Sequence, residues 1–533
     1  MTQYAGTTAL ARLIVRRDRI RLGVWAYVIA GLIASTAYSF RGLYHSVAER
    51  EAFGASIRAN PTLLALDGPI FNASTTGGLT AWRFGGFAAV AAAMASIFTV
   101  VRHTRAEEES GRTELVGAGV VGRRAPLTAA LTVAIYLNVL AGALTVLVMV
   151  LLGAGGAGAV ALGAGITTCG IAFAGIAAVA AQLTEGSRAA NGIGFTVLGV
   201  AFVLRAVGDA AHGGTLSFLS WLSPIGWAQQ VRPYAGERWW VLALGVGLGL
   251  VLSGVAYALV ARRDIGAGLM PPRLGPASAP PGLRNPIALA WRQHRGSLVG
   301  WSVGMFLLGV AYGGSAKGVG TLIDTSAQLR DIINRLGGSR GLTNAYFTAT
   351  LGIGALIAAA YAVQATLRAR SEETALRAEV VLATPVRRVT YAGSHLLLAA
   401  VGAAVLLAAT GIGSGLAYGI AVHDVGGQLA ALVGAALAQW PAAVVPAGIA
   451  ALLFGVAPRL TTAAWALLAA FVILGQVGPL LHVTQPVMDL SPFTHTPKLP
   501  GVAVTYVPFV LLTGVAVALA MVGLAGFRRR DVG

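Results

Sequence analysis

Two short charged segments stand out in this chain for packing acidic and basic side chains closely together. The first reads Arg105-Ala106-Glu107-Glu108 and continues through Arg112 and Glu114 to Leu115-Val116. The second reads Arg370-Ser371-Glu372-Glu373 and continues through Arg377 and Glu379 to Val380-Val381. Guanidinium and carboxylate groups alternate, which is the chemistry of ion pairing and docking rather than of bond making. The spacing predicts helices over 105–116 and 370–381, with Glu108→Arg112 and Glu373→Arg377 as i,i+4 pairs in the favourable order. Each helix would lie across a membrane face and offer alternating charge to a soluble partner. Arginines alone suffice to set membrane topology, to which acids contribute little. Acids repeated in both segments therefore point to specific contacts.

Other chemistry is harder to find. A nucleotide-binding P-loop needs Gly-Lys-Ser/Thr, because its lysine reaches the phosphates. The only lysines are Lys317, followed by Gly318, and Lys498, followed by Leu499. Gly153-Ala154-Gly155-Gly156-Ala157-Gly158 matches Gly-x-Gly-x-x-Gly, but no strand precedes it and the chain holds 71 glycines. The eight histidines show no metal-ligand spacing, and Cys169 is alone. No metal site or disulfide is expected.

The elements that must position the charged segments follow from composition. Of 533 residues, 56% are hydrophobic and only 11% are charged, against about 25% in soluble domains. Mean hydropathy is +0.74. A soluble enzyme could not hide that much apolar surface, and a disordered chain would not carry it. Apolar runs of membrane-spanning length recur without period-2 alternation, which predicts an all-α polytopic membrane protein rather than a β-barrel. Twelve spans are expected, near 22–40, 82–103, 126–152, 159–183, 191–211 and 239–261, then 298–316, 344–367, 389–410, 427–454, 461–481 and 504–527. The net charge of +18 reads as topology, not nucleic-acid binding: the arginine clusters fall on one side, which the positive-inside rule makes cytoplasmic. Both termini are then cytoplasmic, and the first span is uncleaved.

The chain repeats itself. Shifting it by 265 residues lays 105–123 on 370–388 with nine identities in nineteen positions, six of them charged. Arg16, Arg19, Leu22 and Trp25 match Arg292, Arg295, Leu298 and Trp301; Leu222-Ser223-Pro224 matches Leu490-Ser491-Pro492; Arg262-Arg263-Asp264 matches Arg529-Arg530-Asp531. The organisation expected is a first six-span half over 1–261, a Pro-rich cytoplasmic linker over 262–285 containing Met270-Pro271-Pro272-Arg273, and a second half over 286–533. An even span count per half makes the repeats parallel, with a pathway between them. Arg205 and Asp209, at i,i+4 near the outer end of span five, are a candidate outer gate, since charges within a membrane mark function by default.

The pattern Arg-x-Glu-Glu-x-x-x-Arg-x-Glu-Leu/Val-Val after span two, with Leu-Ser-Pro before span six, resembles the ABC-2-type permeases of actinobacterial polyketide-antibiotic and multidrug exporters, over essentially the whole chain. The resemblance implies a type V exporter-like fold of two fused six-helix repeats. It makes 105–116 and 370–381 coupling helices, with Arg105, Glu107, Glu108, Arg112, Glu114, Arg370, Glu372, Glu373, Arg377 and Glu379 as coupling residues. It makes about 7–20 and 286–296 connecting helices. It implies export of hydrophobic or amphipathic small molecules from a bacterial cell membrane. ATP and Mg would be held by a separate ATPase, as a homodimer, and no cofactor by this chain. A cavity along spans one, two and five would carry substrate, with Trp25, Phe87 and Tyr361 as aromatic liners. Two other classes compete: a twelve-span transporter driven by an ion gradient, and an intramembrane lipid-modifying enzyme. The first would need buried charged relays, which the spans nearly lack, and the second a single polar site rather than a duplicated one.

Overall fold

In hydrocarbon a backbone must satisfy its own polar groups, and long runs of Ala, Leu, Val and Gly do so as helices. The computed structural model describes all residues except 1–2, 59–60, 118, 212–213, 265, 271–274, 322–337, 477–483, 502–504 and 532–533. Part of the Pro-rich linker, Pro271-Pro272-Arg273, thus lies outside the described residues. Among the described residues there is helix and no strand. The chain divides into two compact units, Met1–Gly275 and Pro276–Gly533.

In the first unit the helices are α1 (Thr7–Leu43), α2 (Val47–Arg58), α3 (Pro61–Asp67), α4 (Thr76–His103), α5 (Arg105–Glu109), α6 (Arg112–Gly117), α7 (Ala125–Leu151), α8 (Ala157–Leu183), α9 (Ser187–Ala210), α10 (Pro224–Gln230) and α11 (Leu242–Val260). In the second they are α12 (Pro286–Thr321), α13 (Gly338–Thr366), α14 (Arg368–Thr374), α15 (Arg377–Leu382), α16 (Arg388–Val422), α17 (Val425–Leu437), α18 (Trp440–Val456), α19 (Ala463–Gln476) and α20 (Val507–Arg529). Among the described residues, eleven helical segments are long and apolar enough to cross a membrane, and Ala463–Gly475 is a shorter apolar helix. This is a multi-pass membrane protein of about twelve spans.

The same packing partners recur in each unit. α1 lies on α7 as α12 lies on α16; α8 lies on α11 as α18 lies on α20; α4 lies on α8 as α13 lies on α18. Ile29, Ile33, Ala88, Ala92, Val133, Leu137 and Ile166 form one core cluster of the first unit. Phe347, Leu351, Ala355, Leu406, Leu432 and Ala443 lie in one of the second. Alanine and glycine bring the backbones close. A Cβ on Gly455 of α18 would collide with the carbonyl of Gly523 on α20, and one on Gly523 with the carbonyl of Ala451.

The region before span one and the span itself are two helical stretches of α1 that meet at a kink, where Asp18 is non-helical (φ −106°, ψ 17°). One element differs from the sequence expectation. The tenth span is two helices, α17 and α18, joined at Ala438-Gln439. Lipid and close-packed neighbours both tolerate such a break, because Gln439 still donates and accepts within the turn.

Gly455→Val is expected to cost about 1–3 kcal/mol through overpacking, seen as a lower Tm in detergent. Gly514→Val, with open space around its missing Cβ, is the control that leaves Tm in place.

Candidate functional site

The charged segments are elbows rather than single helices. α5 ends at Glu109, Ser110-Gly111 turn, and α6 restarts at Arg112. In the second unit α14 ends at Thr374, Ala375-Leu376 turn, and α15 restarts at Arg377. The repeat is faithful to the bend: Gly111 (φ 72°) and Leu376 (φ 59°) occupy equivalent positions and both adopt the left-handed conformation. Glycine takes it freely, whereas leucine holds it at a cost of about 1 kcal/mol.

The bend rearranges the ion pairs. The i,i+4 pairs Glu108–Arg112 and Glu373–Arg377 do not form, because no helix runs through the turn. Arg112 instead sits 3.7 Å from Glu107, and Arg377 sits 2.6 Å from Glu372. That hydrogen bond holds the Arg377 guanidinium above its usual pKa. Glu108 and Glu373 turn inward, each held between two arginines. Glu108 accepts from Arg105 at 3.0 Å and takes a two-pronged contact from Arg263 at 2.8 and 2.7 Å. Glu373 accepts from Arg370 at 3.0 Å and from Arg530 at 2.8 Å. Arg105 is fully buried. It also donates to the carbonyl of Ala181 at 3.0 and 2.7 Å, satisfying the C-terminal end of α8. Arg123 donates to the carbonyl of Arg263, and Arg388 to that of Arg530. The matching Arg-Arg-Asp triplets thus have one reason for existing: their second arginine latches the elbow.

What the elbows leave outside is different. Arg112, Glu114 and Leu115 are exposed in the first, and Leu376, Arg377, Glu379 and Val380 in the second. Each presents a charged and apolar tip on a latched base.

Beside the first elbow, a network absent from the sequence reading ties α1 to α4. Asp18 accepts from Arg102 at 2.8 and 3.3 Å and from His103 Nε2 at 2.9 Å. Arg17 donates to His103 Nδ1 at 3.2 Å, which leaves the ring proton on Nε2, and to Glu107 at 2.5 Å. In the second unit the position of Asp18 is His294, which hydrogen-bonds His395 at 2.9 Å. His395 is buried and packs against Tyr391 as well.

The aromatic candidates separate. Trp25 lines a cavity of about 470 Å³ between α1, α4 and α9, with Phe98, Asp18, Arg21, Arg102 and Asn191. Phe87 is half-buried and packs at a tilt against Phe84, away from that cavity. Tyr361 is a core residue, 1% exposed, packed edge-on to Trp301.

Arg205 and Asp209 pair at 3.4 Å, both buried. Asp209 also accepts from Ser220. Arg205 donates to the carbonyls of Ala65 and Leu66, each at 2.9 Å, while Gln229 caps Asp67 and Trp82 caps Gly68. The pair is therefore a clamp on the C-terminal end of α3. Burial pushes the Asp67 carboxyl up to about 6, against the opposing pull of Arg83 and Arg205.

Glu108→Gln leaves Arg105 and Arg263 buried without their counter-charge, an expected loss of about 3–5 kcal/mol; protease cleavage within 105–123 should rise sharply. Glu114→Gln, at an exposed position, should stay within about 0.5 kcal/mol. The raised pKa of Asp67 means the folded α3 clamp binds its proton more tightly than the unfolded chain. The clamp is therefore firmest at low pH and weakens as pH rises toward and through 6. Amide exchange over 61–68, corrected for intrinsic rates, should be slower at pH 5 than at pH 7.5. Asp67→Asn should abolish that difference.

Comparison with known proteins agrees with this architecture. The family model described as "Multidrug efflux system permease Rv1217c, C-terminal domain" matches residues 283–528. The chain is 43% identical over 531 residues to the multidrug efflux system permease protein Rv1217c of Mycobacterium tuberculosis (strain ATCC 25618 / H37Rv), covering 99% of this chain and 96% of that protein. The chain belongs to the family of multidrug efflux system permeases.

Proposed function

We propose that the chain is the membrane-spanning permease subunit of an ATP-driven exporter, moving hydrophobic or amphipathic small molecules out of a bacterial cell. The duplicated elbows carry this reading. Each is a short tip of exposed charge and apolar side chain on a base pinned by arginine–carboxylate pairs, through the buried Arg105 in the first and the half-buried Arg370 and Arg530 in the second. Such a base transmits force, because a push on the tip cannot be absorbed by bending at the latch. The pushing partner would be a separate ATPase, a homodimer offering one surface to each elbow, with ATP and Mg bound there and none on this chain. The positive-inside rule puts the elbows and both termini in the cytoplasm. The permease supplies the path and no chemical step of its own.

The linkage between elbow and span differs between the units. In the first, Glu107 is bonded to Arg17 and the kink at Asp18 to Arg102 and His103. Motion of α5 would thus reach α1 and the Trp25 cavity directly.

The test is capture of the tagged full chain from its native membranes, wild type against Leu115→Asp with Val380→Asp. Both sites are solvent-facing, so the fold should survive. A P-loop ATPase is expected with the wild type and lost from the double variant, with export lost in parallel. Recovery of wild type without any ATPase, in membranes that still export, would sink this reading in favour of transport driven by an ion gradient.

A further inference from the structure

The cavity between α1, α4 and α9 carries an unbalanced set of charges. Its walls hold two cations, Arg21 and Arg102, and one anion, Asp18. Asp18 is saturated: it accepts twice from Arg102 and once from His103, with Arg17 a further 4.0 Å away. Arg102 is spent on the same carboxylate. Arg21 has neither an ion-pair nor a hydrogen-bond partner among the described residues, and its side chain is exposed at the cavity wall. The third helix contributes no charge to the lining, only Ser187 and Asn191. Ser187 is engaged with Glu109, while the buried Asn191 Oδ1 has no hydrogen-bond partner. The remaining wall is mainly apolar, with Leu22, Val101 and Ala106 beside the aromatic Trp25 and Phe98, and Phe195 behind it. Trp25 and Phe98 lie 6.3 Å apart, and Phe195 stands edge-on to Phe98 at 5.0 Å.

We propose that this cavity binds an amphiphile with an anionic head and an apolar body, the head on Arg21 and the body against Trp25 and Phe98. A cation has no free carboxylate to meet there, and it would face the like charge of Arg21. An anion gains a charge-assisted contact from a guanidinium that is otherwise unpaired. A volume of about 470 Å³ suits a fused-ring molecule and lies within the usual range of small-molecule sites. The shared chemistry fits two sources, an anionic membrane lipid or a dissolved aromatic acid. Calling the occupant cargo rests on the exporter reading; the binding itself does not.

The experiment uses the full chain in phosphatidylcholine nanodiscs, without ATP or ATPase, and two dyes built on the same xanthene ring. Fluorescein supplies the anion and rhodamine 6G the cation, and binding is read by fluorescence anisotropy. Wild type should prefer fluorescein. Arg21→Gln should weaken fluorescein about tenfold and leave rhodamine 6G unchanged, with Arg21→Lys retaining most of the affinity. Trp25→Ala should weaken both dyes. Arg19→Gln, two positions earlier and so on the other side of the helix, should change neither. An unchanged preference in Arg21→Gln, or a wild type that prefers the cation, overturns the proposal. Repeating the titration with one-third phosphatidylglycerol separates the sources. Competition that lowers the apparent affinity in wild type but not in Arg21→Gln assigns the site to lipid, and equal affinity assigns it to the dissolved acid. Because no ATPase is present, failure here leaves the exporter reading standing, and failure to capture an ATPase leaves this binding test unaffected.

Discussion

A single carboxylate held between two arginines is the constraint on which each unit depends. Glu108 sits between Arg105 and Arg263, and Glu373 between Arg370 and Arg530. A guanidinium buried as deeply as Arg105 is tolerable only with its charge paired and its donors used. The donors go to the carbonyls at the end of α8 and to the segment after α11. One residue thereby closes a helix end, seats an elbow and anchors the chain leaving the last span of the unit. The alternation of acid and base seen in the sequence is therefore internal architecture first and surface second. Glu107, Glu108, Glu372 and Glu373 serve the base of the elbow, while Arg112, Glu114, Arg377 and Glu379 remain on its outer side.

The units repeat in plan and differ in wiring. In the first, the elbow reaches α1 through Arg17 and Glu107. In the second, among the described residues, Glu372 pairs with Arg368 and Arg377 and Glu373 with Arg370 and Arg530, none of them on α12. Where the first unit places a carboxylate amid guanidiniums, the second places two imidazoles against each other. Equivalent elbows thus sit on unequal connections, one electrostatic and tied to the first helix, the other neutral at that level.

Much of the fold was legible because hydrocarbon allows so few solutions. Span number and type followed from apolar runs, and the repeat from charged residues conspicuous in a chain poor in charge. The pairing partners were not legible. Helical periodicity aligned Glu108 with Arg112, but Gly111 in the left-handed region breaks that register, and no periodic argument foresees a turn inside a good helix-forming sequence. Arg263 and Arg530 stood out as repeated, yet their task emerged only when the fold brought them beside acids far away in sequence. Asp18 and His103 carried no signal, since a lone carboxylate near a span end reads as a solvated charge. Of the aromatics, Trp25 faces a cavity while Phe87 and Tyr361 pack against neighbours, and sequence offers no means of separating those fates. Arg205 and Asp209 met as expected, but the α3 end they clamp is 139–140 residues away.

The latch also sets an order on how each unit is made. Arg263 follows Glu108 by 155 residues, and Arg530 follows Glu373 by 157. An elbow emerging from the ribosome therefore waits for four further spans before its second arginine exists, about 10–30 s at ordinary rates of synthesis. Through that interval Glu108 has only its hydrogen bond from Arg105 and lacks the two from Arg263. Completion of the unit and locking of its elbow are thus one event. A unit truncated in its last helix would display a loose elbow, a local signature by which quality control could tell unfinished units from finished ones.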